Sequence, residues 1–510
     1  MAFEPNYNKV VSSYRKRLGT TQAQIECKLP VNENTEINKV LCANAKAYIG
    51  GAESMSGEVS FNGFVNFQII YDGTEPQGMD YTAEFKEKYQ NSDITPNSVP
   101  IISCSVVNVN TGIVGAEVKV TAIVEIAVDI VDTMESNVLT EVDAADVFSK
   151  TDTLNYAMYM GDAKNRFEQN FDVEINERIS KVLGVCADVQ LTNVTPKTEF
   201  AEIKGLLNVD ISYLSGGENP TIKMMQKQVD FTQEVPLKEI AEDSYISSDI
   251  NVVSGDIKVT TNLDENLSVI NLDIPIVYNG YVFNPTSTTY VTDLFAINNY
   301  VNIDLESLAV MRKADSRAFQ ERFDASVTID EEMPLIDEIV GVCDKNITVT
   351  SQTITGNTLN LEGINTVTVL YENRETNTTN SILIESPFSL SFNMEGLDGL
   401  EPEVQMVMGD VYAKGRRGNE VEVNGDIYIY ANFFGKDTEV VISSVKLGEE
   451  RNQYMAPLML YIVKPGETLW DIAKNLSVSP DLIVEQNPNL EFPLKGGEKV
   501  RVYRQRMINF

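Results

Sequence analysis

The stretch Gly63-Phe-Val-Asn-Phe-Gln-Ile-Ile-Tyr71 recurs as Gly205-Leu-Leu-Asn-Val-Asp-Ile-Ser-Tyr213 and again as Gly363-Ile-Asn-Thr-Val-Thr-Val-Leu-Tyr371, each running from Gly to Tyr over the same eight steps. Upstream, the strings Lys39-Val-Leu41, Lys181-Val-Leu183 and Glu338-Ile-Val340 end 22, 22 and 23 residues before the respective glycines. Downstream, each copy carries alternating sequence, Val118–Ile126, Leu267–Ile274 and Val421–Ile429. Period-two alternation puts one face of a strand on a core and the other in water. The first two copies also share a closing element, Asp146-Val-Phe148 and Asp293-Leu-Phe295, and Asp304 to Arg312 has helical spacing. A glycine inside such a strand predicts a bulge or a close backbone approach, and a tyrosine suits a strand while offering a polar tip.

The repeat length of about 150 residues exceeds the ~20 to 50 residues of a solenoid unit and suits domains that own a core each. The expected organisation is therefore mainly β and multidomain: a basic segment at 1–20, three tandem β-rich repeats at 21–155, 160–312 and 315–450, and a small βααβ domain at 458–505.

Composition narrows the chemistry. The 510 residues include 43% apolar ones, enough for several cores, and carry a formal charge of -35. That charge repels phosphate backbones and anionic lipid heads, so neither nucleic acid nor a membrane surface is an expected partner. It is concentrated in the middle, since residues 1–20 carry +3 and residues 455–510 carry +1. The absence of histidine excludes Ser-His-Asp and Cys-His catalysts and His-ligated metal sites.

Five cysteines, Cys27, Cys42, Cys104, Cys186 and Cys343, form no CxxC and no readable disulfide framework. Cys186 and Cys343, each ending a Gly-Val-Cys string, are expected to be small buried hydrophobes. No phosphate-binding loop and no metal-ligand spacing occur, and the carboxylate runs Asp330-Glu-Glu332 and Asp398 to Glu403 read as solvated surface. No catalytic residue, metal or cofactor is therefore expected. The basic start, Lys9 with Arg15 to Arg17, lacks the apolar block of a secretory signal and is expected to form a capped surface helix, the alternative being contact with an acidic partner or with the chain's own acidic body. No apolar run reaches the ~20 residues of a membrane span, so a chain retained in the cytoplasm is expected.

From Tyr461 the pattern changes to strand, helix, helix, strand. Thr468 with Asp471 makes a capping box, and Leu469, Ile472, Ala473 and Leu476 fall on one helical stripe. Trp470, the only tryptophan, lies on the flank of that stripe, where it either anchors a ligand or covers a small core. Ser479 as N-cap with Pro480 after it announces a second helix that stops at Asn487-Pro488.

This segment, Tyr461 to Tyr503, resembles the LysM domain. The resemblance implies a βααβ fold with a shallow groove between a first loop of Pro465, Gly466, Glu467, Thr468 and Leu469 and a second of Asn487, Pro488, Asn489 and Leu490. With Trp470 these are the candidate binding residues, and in many relatives the groove takes N-acetylglucosamine-containing glycans. Two departures bear on glycan recognition: Glu467 stands where Asp is usual, and Val502-Tyr503 followed by Arg504-Gln-Arg506 replaces the usual ending.

The three upstream copies, with a LysM after them, resemble the SPOCS–LysM arrangement of the SipL-like clostridial spore-coat morphogenetic family. That resemblance implies a non-enzymatic scaffold in the mother-cell cytoplasm at the forespore surface. Its LysM would dock on the coat-basement ATPase of stage IV sporulation (protein A), and other coat proteins would be further partners. The competing expectation is a peptidoglycan-binding protein of the spore cortex or cell wall.

Overall fold

A computed structural model describes residues 3–30, 37–115, 117–263, 267–329, 333–373, 376, 378–416, 420–451 and 458–503. Each Gly-to-Tyr stretch lies in the middle strand of a three-stranded antiparallel sheet. In the first, β1 (Glu4–Pro30), β2 (Lys39–Met55), β3 (Glu58–Asp72), β4 (Gln77–Gln90), β5 (Val99–Val114) and β6 (Glu117–Asp143) pair as β2-β3-β4 and β1-β6-β5. The two sheets face each other across one core in which Val65, Phe67 and Ile69 of β3 meet Val118, Val120, Val124 and Ile126 of β6. Even-numbered β6 residues from Val118 to Ile130 are fully buried while the odd ones up to Ala127 are only half-buried, the period-two pattern expected of a strand with one core face.

The same sandwich is built again from β7 (Val147–Ile175), β8 (Ile179–Lys197), β9 (Phe200–Ser215), β10 (Ile222–Pro236), β11 (Tyr245–Val252), β12 (Lys258–Leu263) and β13 (Ser268–Ala296). Here β8-β9-β10 packs on β11-β13-β7, and β12 pairs with the start of β13. A third sandwich uses β14 (Asn299–Thr328), β15 (Glu338–Thr355), β16 (Thr358–Asn373), β17 (Thr378–Asn393), β18 (Glu401–Arg416) and β19 (Glu420–Glu450), with β15-β16-β17 on β14-β19-β18. Strands hold 79% of the chain and helices 4%, which makes the class mainly β as expected.

The glycines are explained by what lies across from them. Gly63, Gly205 and Gly363 pair with Phe85, Phe231 and Phe388 on the next strand. A Cβ at each would come within 2.3, 2.5 and 2.6 Å of the phenylalanine ring, and within 3.0, 2.5 and 2.2 Å of the backbone oxygens of Tyr48, Gln190 and Thr348. The ring covers the bare backbone of its glycine, a known way of repairing a glycine in a sheet. The register also slips beside each, at Ile49/Gly51, Leu191/Asn193 and Val349/Ser351, as expected of a bulge. Gly363→Ala should therefore lower stability by about 1–3 kcal/mol through overpacking, read as an earlier urea midpoint. Gly112→Ala, where a Cβ meets nothing within 4 Å, should leave the midpoint in place.

The sandwiches also share material. The far halves of the six longest strands bury Val10, Val138, Leu154, Tyr156, Tyr290, Leu308, Val310 and Val441 together. At the other side, Leu41 and Ile70 of the first sandwich, Leu183 and Leu214 of the second and Leu370 of the third make a common cluster. Met311 pairs with Ala157 to join two of the larger sheets.

Two expectations about local structure are overturned. The basic start is not a surface helix: Glu4–Pro30 is a strand whose residues pair with β6 along its length. Asp304 to Arg312 is not helical either, but part of β14 paired with β19. Leu305 is 60% exposed whereas Leu308 and Val310 are fully buried, so two-residue periodicity against a distant partner outweighs the i, i+3, i+4 spacing.

Candidate binding module and its anchorage

The last described segment folds as β20 (Leu458–Ile462), α1 (Leu469–Leu476), α2 (Pro480–Gln486) and β21 (Lys499–Tyr503), with β20 and β21 antiparallel. The capping box at the start of α1 is complete: the Asp471 N–H donates to Thr468 Oγ1 at 3.3 Å, and the Thr468 N–H donates to Asp471 Oδ2 at 2.8 Å. Ser479 caps α2 by accepting from the Leu482 N–H at 3.1 Å, with Pro480 first in the helix. Ile472, Ala473, Ile483, Val500 and Val502 form the small core.

The candidate residues separate by what they do. In the first loop Glu467 accepts from the Tyr461 hydroxyl at 2.6 Å and from the Lys464 N–H at 2.8 Å, and these bonds hold its carboxyl below the usual range. Its side chain shapes the loop while Pro465, Gly466 and Thr468 stay exposed. Gly466 has φ +84°, a left-handed conformation that favours glycine. Leu469 is half-buried against the core, as is Leu490 in the second loop. Pro488 and Asn489 are exposed. Asn487 is buried, and its amide is engaged with the backbone of Ile483 and Arg501.

Trp470 is half-buried and turns toward the second sandwich. Its indole N–H donates to Asp293 Oδ2 at 2.8 Å, and its ring meets that of Phe295 edge-on at 5.1 Å. Lys474, one turn further along α1, reaches the other Asp293 oxygen at 2.6 Å. Phe295 in turn stacks on Phe148 at 5.5 Å. The two Asp-x-Phe closing elements are thus cross-strand partners, Phe295 opposite Phe148, and together they form the platform on which the module rests. The Arg504-Gln-Arg506 tail lies outside the described residues.

Elsewhere, Asp330–Glu332 lies outside the described residues, and of the run Asp398 to Glu403 the last member is not solvated surface. Glu403 contacts the guanidinium of Arg15 at 2.7 Å. Burial alone would raise Glu403, but the charge and hydrogen bonding of Arg15 outweigh it and hold the carboxyl below its ordinary value. Arg15 also donates to Asp129 at 2.9 Å and to Ser247 Oγ at 2.9 Å, and it lies 4.3 Å from the centre of the Phe434 ring. One residue of the basic start therefore ties all three sandwiches, a role that no local sequence signal marks.

Cys42, Cys186 and Cys343 gather where the sandwiches meet, around a small cavity they share with Gln68 and Asp210. Burial pushes each of their thiols up, away from the reactive thiolate form. No group of three acidic or thiol side chains among the described residues is placed to hold a metal ion.

This architecture defines a multidomain β protein whose sandwiches carry a small binding module of the LysM type. Residues 36–147 and 178–261 match the family model of the SipL SPOCS domain, and residues 461–495 match the LysM domain. These matches support a SipL-like description of the chain, with SPOCS domains in its body and a LysM module after them. Neither the curated proteins nor the solved structures gave a match. Both matched domains are of the binding and scaffold type; they make this a spore-coat-associated kind of protein with a peptidoglycan-binding type of module. No helix among the described residues is long and apolar enough to cross a membrane.

Proposed function

We propose that the chain is a non-enzymatic scaffold of spore-coat assembly, in which the third sandwich is a further SPOCS-like copy and the LysM module docks on the coat-basement ATPase of stage IV sporulation (protein A). Its place is then the mother-cell cytoplasm at the forespore surface, with other coat proteins on the acidic body. The observation that carries this reading is the fixed presentation of the module. Trp470 and Lys474 hold it on Asp293, while the loop residues Pro465, Gly466, Thr468, Pro488 and Asn489 remain exposed. A module held at one place on a large body suits assembly of a shell, because linked sites act at high effective concentration.

Asn489→Arg tests the reading with little risk to the fold, since the residue is exposed. Affinity of the full chain for the purified ATPase should fall by roughly tenfold or more, as at an interface hot spot, with the circular dichroism unchanged. Undiminished affinity would remove the groove from the docking role. Loss of co-sedimentation with sacculi, and not of ATPase binding, would instead make this a peptidoglycan-binding protein of cortex or wall.

A further inference from the structure

Each sandwich leaves two strand edges unpaired on one side: β2 and β5, β8 and β11, β15 and β18. These six edges face one another and enclose a cavity of about 490 Å³ lined from all three sandwiches. Such a volume is typical of a small-ligand site. Its wall is ionic. Four carboxylates, Glu125, Asp188, Asp249 and Glu403, share it with two lysines, Lys46 and Lys345.

Both lysines are already committed. Lys46 pairs with Asp188 at 2.7 Å, while Lys345 pairs with Asp210 at 2.9 Å and donates to the Gly409 carbonyl at 2.8 Å. Glu403 belongs to Arg15. Glu125 and Asp249 are left without an ion-pair partner among the described residues. Asp249 has only neutral donors, the amides of Asn251 at 2.8 Å and Asn279 at 3.2 Å. Burial, and next the charge of Glu403, push its carboxyl up to about 6, and Lys164 acts on it only through space, its ammonium donating to the Gly50 carbonyl at 2.6 Å, so the carboxyl faces the cavity with no direct cationic partner. Protein interiors seldom keep such a charge without a partner.

A second, independent feature points the same way. Ser254, 5% exposed, lines the cavity with its hydroxyl unpartnered. Gln405 donates to the Ile250 carbonyl at 2.7 Å, which leaves its buried carbonyl oxygen without a donor. The wall thus offers two separated carboxylates and spare hydrogen-bond acceptors, the complement of a molecule bearing several N–H donors and more than one positive charge.

We propose that this cavity binds a linear aliphatic polyamine, whose ammonium groups neutralise Asp249 of the second sandwich and Glu125 of the first while Ser254 and Gln405 accept its remaining N–H groups. The ligand bridges the three sandwiches at the point where their sheets are open. This assignment stands apart from the docking role of the LysM module.

Spermidine is the probe, titrated calorimetrically into the full chain in buffer of physiological salt, where loose attraction to the acidic surface is screened. A single saturable site per chain is expected. Asp249→Asn and, separately, Glu125→Gln should each weaken it by roughly tenfold or more, the worth of one charge-assisted hydrogen bond. Glu87→Gln, on an exposed strand position, should not change it. Because the two site variants lie on different sandwiches, a folding defect in one leaves the other to decide. Unsaturable binding, absence of binding, or equal affinity in a folded site variant and in Glu87→Gln would overturn the assignment.

Discussion

Arg15→Met should destabilise the folded chain by about 3–5 kcal/mol, the usual result of removing one partner from a buried ion network. The side chain of Arg15 is 1% exposed and that of Asp129 4%. The guanidinium Nε donates to Asp129, Nη1 donates to Ser247 and Nη2 contacts Glu403, and these partners lie on β6, β11 and β18. Without the guanidinium, Asp129 retains only Arg17, at 3.5 Å, and Glu403 loses its nearest cation. Burial already holds the Asp129 carboxyl above its ordinary value, so the loss would drive it to take up a proton. Lysine cannot substitute, because one ammonium does not fork to three partners in a plane. The check is urea unfolding followed by circular dichroism. Arg15→Met should move the midpoint sharply down, and adding Glu403→Gln should recover part of the loss by removing one stranded charge. A shift of less than about 1 kcal/mol would mean the network behaves as a solvent-screened surface cluster.

That Arg15 escapes a sequence reading follows from where its partners are. Asp129 is 114 residues away and Ser247 is 232, and a segment with four basic residues, Lys9 and Arg15 to Arg17, has the composition of a surface segment. The strand identity of Glu4–Pro30 is hidden for the same reason: its pairing partner β6 lies a hundred residues on, and the buried positions include serines, Ser12 and Ser13, which carry no apolar signal. By contrast, the three Gly-to-Tyr strands are legible because the constraint is local in kind. A glycine must face a phenylalanine ring on the adjoining strand, and the alternation of β6, β13 and β19 is written directly in their apolar residues. The helix starts of the LysM module are legible because a cap is satisfied within three residues. The outcome for Trp470 divides the two regimes. Its position on the helix flank is readable from the spacing, but its partner Asp293, 177 residues earlier in the chain, is readable only from the fold. The shared Asp-x-Phe element marks the platform without saying that the module rests on it.

Asn487 separates folding from recognition within the groove, and Asn487→Ala should unfold the LysM module rather than trim its affinity. The side chain donates to the Ile483 carbonyl at 2.8 Å and the Arg501 carbonyl at 2.7 Å, and accepts from the Arg501 N–H at 2.9 Å. Next to it, Gln486 repeats the pattern on Tyr503, donating to its carbonyl at 2.8 Å and accepting from its N–H at 2.6 Å. The two amides thereby stand in for a third strand on the free edge of β21, whose other edge pairs with β20. Truncation at Asn487 leaves up to three backbone groups without partners at a cost of about 1–3 kcal/mol for each one that stays buried. A module this small has only about 3–5 kcal/mol of core stabilisation to oppose that loss. Because Trp470 is the only tryptophan of the chain and contacts Asp293 and Phe295, its fluorescence reports the module and its anchorage without interference from the body. Asn487→Ala should shift the emission toward that of a hydrated indole while the β signal of the three sandwiches persists in circular dichroism. Asn489→Arg should leave both unchanged. If instead Asn487→Ala keeps the wild-type emission and loses only partner binding, its amide belongs to the recognition surface, and the edge of β21 is closed by Gln486 alone.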